Sequence, residues 1–179
     1  MLEDDMVVIG HSLGGMVALE MLSRSDARSR ALVLMESVPT VVDTGIGRIG
    51  PRIARPFLKY LPRPLLLRMS GAGQSPAAAE EARFWLSQMS RDSLIDVFDA
   101  ARGFDGRRHL AQIRVPTLVV VGSENKATHR GAELMATTIE GAKFETIPGG
   151  HLLHIDNPVQ LKKSIAAFVS HCTDARGRP

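Results

Sequence analysis

The hexapeptide Gly10-His11-Ser12-Leu13-Gly14-Gly15 constrains this chain more than any other stretch, because of what stands on either side of it. The apolar run Met6-Val7-Val8-Ile9 precedes it, and Met16-Val17-Ala18-Leu19-Glu20-Met21-Leu22 follows. A G-x-S-x-G between a buried strand and a buried helix is the pattern of a nucleophile elbow. The chain there turns so sharply that the serine takes a strained backbone and its hydroxyl projects above the sheet. Side chains at Gly10 or Gly14 are expected to collide with the neighbouring strand or helix. An ordinary glycine-rich turn is the plainer reading, and it leaves the two apolar flanks without a purpose.

Strands and helices alternate beyond the elbow. Ala31–Met35 and Thr117–Val121 are continuous apolar runs, the pattern of strands covered on both faces in a parallel sheet. Lys143–Ile147 alternates polar and apolar, as an edge strand does. A helix is expected around His129–Ile139, with Leu134, Met135, Thr138 and Ile139 on its inner side. Another should begin at Asn157-Pro158, with Gln160 placed for a capping box and a buried stripe of Leu161, Ile165, Phe168 and Val169. Such alternation specifies an α/β fold with a mostly parallel sheet and helices on both faces.

One excursion interrupts the alternation. From about Val38 to Arg114 no segment reads as a strand, and Pro39, Pro51, Pro56, Pro62 and Pro64 cut it into short helical pieces. Ser75-Pro76 opens a better helix carrying Ala79, Phe84, Trp85, Leu86 and Met89. A second places Leu94, Val97, Phe98 and Ala101 on one stripe before Gly103. Individually these are packing residues. As a unit, an excursion that leaves the sheet after one strand and returns before the next should lie over Ser12 as a cap. The expected organisation is a discontinuous core of residues 1–38 and 115–172, a helical cap of 39–114 and a disordered tail of 173–179.

Composition excludes more than it specifies. The chain has 179 residues, 44% hydrophobic and 23% charged, with a net charge of +3. Its cations are scattered between apolar positions, so no nucleic-acid partner is expected. The basic stretches at Arg102–Arg108 and Arg176–Arg178 read as solvated surface. No apolar run approaches the roughly 20 residues of a membrane span, and Met1–Asp5 lacks the basic start of a secretory signal. The single cysteine, Cys172, suits a reducing compartment, and a cytoplasmic location is expected.

Together these segments resemble the α/β-hydrolase fold family over nearly the whole chain. Three motifs carry the resemblance. They are the elbow Gly10–Gly15, the run Leu110–Gly122 leading into a strand before an acid loop, and Ile147-Pro148-Gly149-Gly150-His151 followed by Asp156-Asn157-Pro158. The resemblance implies acyl transfer. Ser12 would be the nucleophile and His151 the general base on attack, then the acid for the leaving group. The backbone N–H of Leu13 would stabilise the oxyanion. The blander role for His151, a loop histidine bonded to backbone, is less economical beside its glycines. His151, His154 and Asp156 lack the frame of a metal site, so neither metal nor cofactor is implied. His11 is expected to pack beside the elbow.

Two departures from the family pattern matter. Where most relatives place an aspartate, this chain has Asn125, and an amide does not offset an imidazolium charge. Two carboxylates remain as alternatives. Glu36 ends the second strand, and some branches of the family take their acid there; Glu124 adjoins Asn125. Their plainer roles are a bonded strand-end residue and a solvated loop charge. Second, relatives place the nucleophile after four further strands, whereas Ser12 stands near the start. The expectation is a truncated copy, or a sheet completed by another chain, with a homodimer through the open edge of the first strand as one form. The expected activity is hydrolysis of a carboxylic ester, lactone or thioester with an apolar acyl part through an acyl-enzyme. The alternatives are an impaired or inactive remnant, or a cofactor-free perhydrolase or C–C hydrolase of the same fold.

Overall fold

The computed structural model describes residues 6–24, 29–42, 44 and 51–176. Residues 1–5 and the tail residues 177–179 lie outside the described residues. Four parallel strands form the sheet in the order β1 (Val7–His11), β2 (Ala31–Met35), β3 (Thr117–Gly122) and β4 (Lys143–Ile147). The register pairs Ile9 with Val33, Val33 with Leu118, and Val119 with Phe144.

Every residue of β2 and β3 is buried, because each strand has a neighbour on both sides and a helical layer on both faces. Leu32, Leu34, Val119 and Val121 point to one face and pack with Ala18 and Leu19 of α1 (Leu13–Leu22) and Met135 of α6 (Lys126–Thr138). Ala31, Val33, Leu118 and Val120 point to the other. There they meet Leu153 of the short α7 (Leu153–Asp156) and Leu161 and Phe168 of α8 (Pro158–Arg176). Full burial of each such side chain stabilises by about 1.5–3 kcal/mol before entropy is counted. These two faces are the core.

The edges are less covered. β4 exposes Phe144, and β1 bonds to β2 alone among the described residues. Ile9 is 52% exposed and Val17 on α1 61%, so the apolar flanks of the elbow are buried on one side only.

Between β2 and β3 lie α2 (Pro51–Tyr60), α3 (Arg63–Ser70), α4 (Pro76–Gln88) and α5 (Arg91–Gly103). Proline sets several of their boundaries, but α2 runs through Pro56. Ser75 and Ser90 cap α4 and α5, accepting hydrogen bonds from the N–H groups of Ala78 and Ser93. The segment expected to close the insertion rejoins the core instead. A 3-10 helix at Gly106–Gln112 packs on α1 and α6, and Leu110 and Ile113 are fully buried there.

Several expectations about faces need correction. Phe84 and Trp85 stack edge-on at the surface of α4 rather than in a core. Leu134 and Thr138 of the expected stripe are exposed, while Met135 and Ile139 are buried and share the inner face with Thr128 and Ala132. The last helix continues to Arg176, so residues 173–176 are helical and not a disordered tail. The Asn157 side chain accepts the Gln160 N–H at 3.4 Å, but Gln160 returns its side chain to the Asn157 amide rather than to the backbone.

Candidate active site

Ser12 sits between β1 and α1 with φ 53 and ψ −119, a conformation that costs a non-glycine residue about 1–3 kcal/mol. Three hydrogen bonds hold it there. Its N–H donates to the Met35 carbonyl at 2.9 Å, and its own carbonyl accepts from the Gly15 N–H at 3.0 Å and the Ser37 hydroxyl at 2.9 Å. The glycines divide differently from expectation. A Cβ on Gly10 would stand 2.6 Å from the Gly15 Cα, so the strand and helix backbones need that closeness. Nothing lies within 4 Å of a Cβ on Gly14, whereas one on Gly15 would strike Ser37. The tight second position is therefore Gly15 and not Gly14.

His151 reaches Ser12 from the loop after β4, with Nε2 3.0 Å from Oγ across 139 residues of sequence. Gly149 at φ 141 lets that loop turn. Gly150 donates its N–H to Asp156 Oδ2 at 2.7 Å, and Asp156 in turn accepts from the Ser75 hydroxyl. His11 does more than pack. Its Nε2–H donates to the His151 carbonyl at 2.9 Å, tying the elbow to the histidine loop. Burial pushes the His11 pKa below its ordinary value, against the opposing effect of that bond.

Behind His151 stands Glu36, 1% exposed and itself at φ 50. The Gly122 N–H donates to Oε1, while Oε2 accepts from Asn125 Nδ2 at 2.5 Å and Thr128 Oγ1 at 2.8 Å. His151 Nδ1 lies 3.5 Å from Oε2, an ion-pair contact rather than a close hydrogen bond. Burial alone would raise the Glu36 pKa. The facing imidazole and the donors from Gly122, Asn125 and Thr128 outweigh it and hold the carboxyl below its usual range. Glu124 is exposed in the turn after β3, where its backbone N–H bonds the Gly149 carbonyl. The structure thus brings Ser12, His151 and Glu36 together and leaves Glu124 outside.

Asn125, read from sequence as a lost acid, proves to be a contact of both partners. It occupies the N-cap of α6 without capping it, and Nδ2 lies 3.1 Å from His151 Nδ1 while bonding Glu36. Thr128 and the Gly122 N–H were invisible as Glu36 donors, since nothing in the sequence pairs residues so far apart. Leu13 opens α1, and its N–H is one of the helix-start donors left without an intrahelical acceptor. Among the described residues no group of three or more potential ligands is arranged to hold a metal.

The site opens into a cavity of about 600 Å³. Leu94, Val97, Phe98 and Ala101 line one wall, so the stripe on α5 expected to pack faces this space, and no residue of α5 is buried.

Comparison with known proteins agrees with this architecture. Residues 2–162 match the model of the alpha/beta hydrolase family. The chain is 25% identical over 182 residues to a pimeloyl-[acyl-carrier protein] methyl ester esterase of Nitrosospira multiformis, covering 93% of this chain and 69% of that protein. It is 28% identical over 181 residues to the polyketide synthase ThaQ of Burkholderia thailandensis, covering 90% of this chain and 8% of that protein. A hydrolase from Pseudomonas aeruginosa superposes with a TM-score of 0.78 at 25% identity, covering 90% of this chain and 63% of the other. The enol-lactonase from Burkholderia xenovorans superposes at 0.77 with 17% identity, a likeness of fold, over 90% of this chain and 64% of that one. The chain thus spans under two thirds of these two structural relatives. Matched by the family model over residues 2–162, this chain belongs to the alpha/beta hydrolase family.

Proposed function

We propose that this chain carries the catalytic centre of a serine hydrolase acting on a carboxylic ester, lactone or thioester with an apolar acyl part. The observation that carries this reading is the 3.0 Å contact between His151 Nε2 and Ser12 Oγ. Such a distance allows the imidazole to take the hydroxyl proton as oxygen attacks the acyl carbon. The ring then holds hydrogen on both nitrogens. Asn125 Nδ2 only donates, so the acceptor for Nδ1–H is Glu36 Oε2, whose charge offsets the imidazolium. The Leu13 N–H, at the positive end of α1, is placed to meet the oxyanion. The imidazolium next protonates the leaving group, and water deacylates Ser12 by the same route in reverse.

Helices α2–α5 serve as the cap in this reading, with the α5 stripe as the acyl wall. The likeness to a methyl ester esterase agrees with an ester substrate. One buried cysteine, Cys172, fits a cytoplasmic setting, and no helix among the described residues is long and apolar enough to cross a membrane.

One observation favours a second reading, the same site impaired. The Asn125 amide is nearer to His151 Nδ1 than the Glu36 carboxylate is. Donation from Asn125 to Nδ1 would leave Nε2–H facing Ser12, the unreactive tautomer. Hydrolysis of p-nitrophenyl butyrate separates the two. Turnover lost in Ser12→Ala supports the hydrolase; well-folded protein with no Ser12-dependent turnover supports the impaired site.

A further inference from the structure

The loop that carries His151 is gripped on both sides of that residue. His11 donates to the His151 carbonyl at 2.9 Å, and the Gly150 N–H, one residue earlier, donates to Asp156 Oδ2 at 2.7 Å. The carboxylate fits closely there. A Cβ on Gly149 would lie 2.9 Å from the Asp156 Cβ, and one on Gly150 3.2 Å from Oδ2. The second oxygen, Oδ1, accepts from the Ser75 hydroxyl. Ser75 belongs to the excursion between β2 and β3 and is built into α4. Its hydroxyl accepts from the Ala78 N–H at 3.2 Å and its carbonyl from the Ala79 N–H at 2.8 Å, and both alanines are buried. One carboxylate on α7 therefore joins the start of α4 to the residue before His151.

We infer that Asp156 is a positioning residue: it sets where the His151 ring stands and makes that setting depend on the seating of α4. This rests on the hydrolase reading. Asp156 is not among the residues lining the cavity over Ser12, so it acts through the loop and not on substrate. Its bond orients the Gly150 peptide, and that peptide fixes the direction in which the His151 side chain leaves the backbone. Without Oδ2 the buried Gly150 N–H loses its acceptor, and the stretch leading into His151 loses its tie to α7. A ring shifted by about 1 Å from Ser12 Oγ passes the proton badly while substrate binds as before, so the defect belongs in kcat and not in KM. Removing the Ser75 hydroxyl frees the carboxylate to turn and produces a milder form of the same defect.

The test is a double-mutant cycle in the full chain, with p-nitrophenyl butyrate as substrate and each protein assayed well below its Tm. Asp156→Ala should lower kcat about 10-fold to 100-fold with KM within about twofold, and Ser75→Ala should lower kcat about threefold to tenfold. The double variant should be no slower than Asp156→Ala, because both changes act through one carboxylate. Asp156→Asn should come within about threefold of wild type, since its amide oxygen accepts from Gly150 and its NH2 donates to Ser75. Unchanged kcat in Asp156→Ala, a defect in KM instead, additive losses, or an Asp156→Asn protein as slow as Asp156→Ala each overturn the inference. Should Asp156→Ala not fold, Ser75→Ala decides, and wild-type kcat in that variant overturns it. Relaxation of the 13C-labelled His151 ring needs no turnover and is read alongside. Wild-type protein without turnover removes the hydrolase reading, yet the ring should still be rigid in wild type and Asp156→Asn and mobile in Asp156→Ala and Ser75→Ala. A ring that moves alike in all of them overturns the role of Asp156.

Discussion

Glu36 and Asn125 are 2.5 Å apart and both face His151, so the charge on this pair decides how the imidazole behaves. Replacing Glu36 by Gln removes the one acceptor for Nδ1–H, and kcat should fall by about 10⁴, as for the matching change in a serine-protease triad. Adding Asn125→Asp would return a carboxylate at the Nδ2 position, 3.1 Å from Nδ1, and should recover at least about 10² of that loss. Steady-state kinetics of the three proteins check this, and a double variant no better than Glu36→Gln speaks against the pair. Stability should also follow Glu36 and His11. Both pKa values lie below the ordinary 4.5 and 6.5, so the unfolded chain takes up these protons first. The stabilisation is full above those values and is lost as pH falls through the folded ones. Thermal unfolding from pH 7.5 to 3.5 should show Tm declining toward acid, with the decline below about pH 4.5 shallower in Glu36→Gln. That Ser12 and His151 would meet was legible because each stands at a strand end or in a glycine-framed loop, whereas the sequence left Glu36 and Glu124 as alternatives and only the folded chain sets Glu36 beside His151. Thr128 was not legible, since its meaning depends on the distant Glu36 carboxylate that lies opposite.

The elbow is the element on which the site depends, and its glycines differ in what they permit. Gly10→Ala sets a methyl against the α1 backbone and Gly15→Ala sets one against Ser37, which holds the Ser12 carbonyl. Each should cost about 1–3 kcal/mol in denaturant unfolding, and Gly15→Ala should also lower kcat by displacing Ser12. Gly14→Ala has open space and should leave stability within about 0.5 kcal/mol. A Gly14 variant as damaged as the other two would mean the elbow is packed differently. The motif pattern alone did not separate these positions, because both place a glycine beside a turn. Strands were easier. Ala31–Met35 and Lys143–Ile147 end where the sequence pattern ends, as a central strand is apolar throughout and an edge strand alternates. On α4 and α6 only part of each expected face is buried, Ala79, Met135 and Ile139 but not Phe84, Trp85 or Leu134: helical spacing tells which residues share a face but not whether that face meets a sheet, a cavity or solvent.

At the scale of the whole molecule, a parallel sheet supplies rigid strand ends, and the excursion between β2 and β3 turns the space above them into a walled cavity. The order of motifs made the fold readable, since three loops at the same sheet end must converge. The insertion was readable as helical but not in its extent, because Leu110 and Ile113 look like any apolar pair until α1 and α6 close on them. All the proposed chemistry depends on that convergence at Ser12. Intact-protein mass spectrometry after exposure to a fluorophosphonate probes it without any assumption about substrate. A single adduct mapped to Ser12 is expected, absent in Ser12→Ala and slowed at least about 10³-fold in His151→Ala. Folded wild-type protein that stays unmodified, or that reacts equally well without His151, would contradict it.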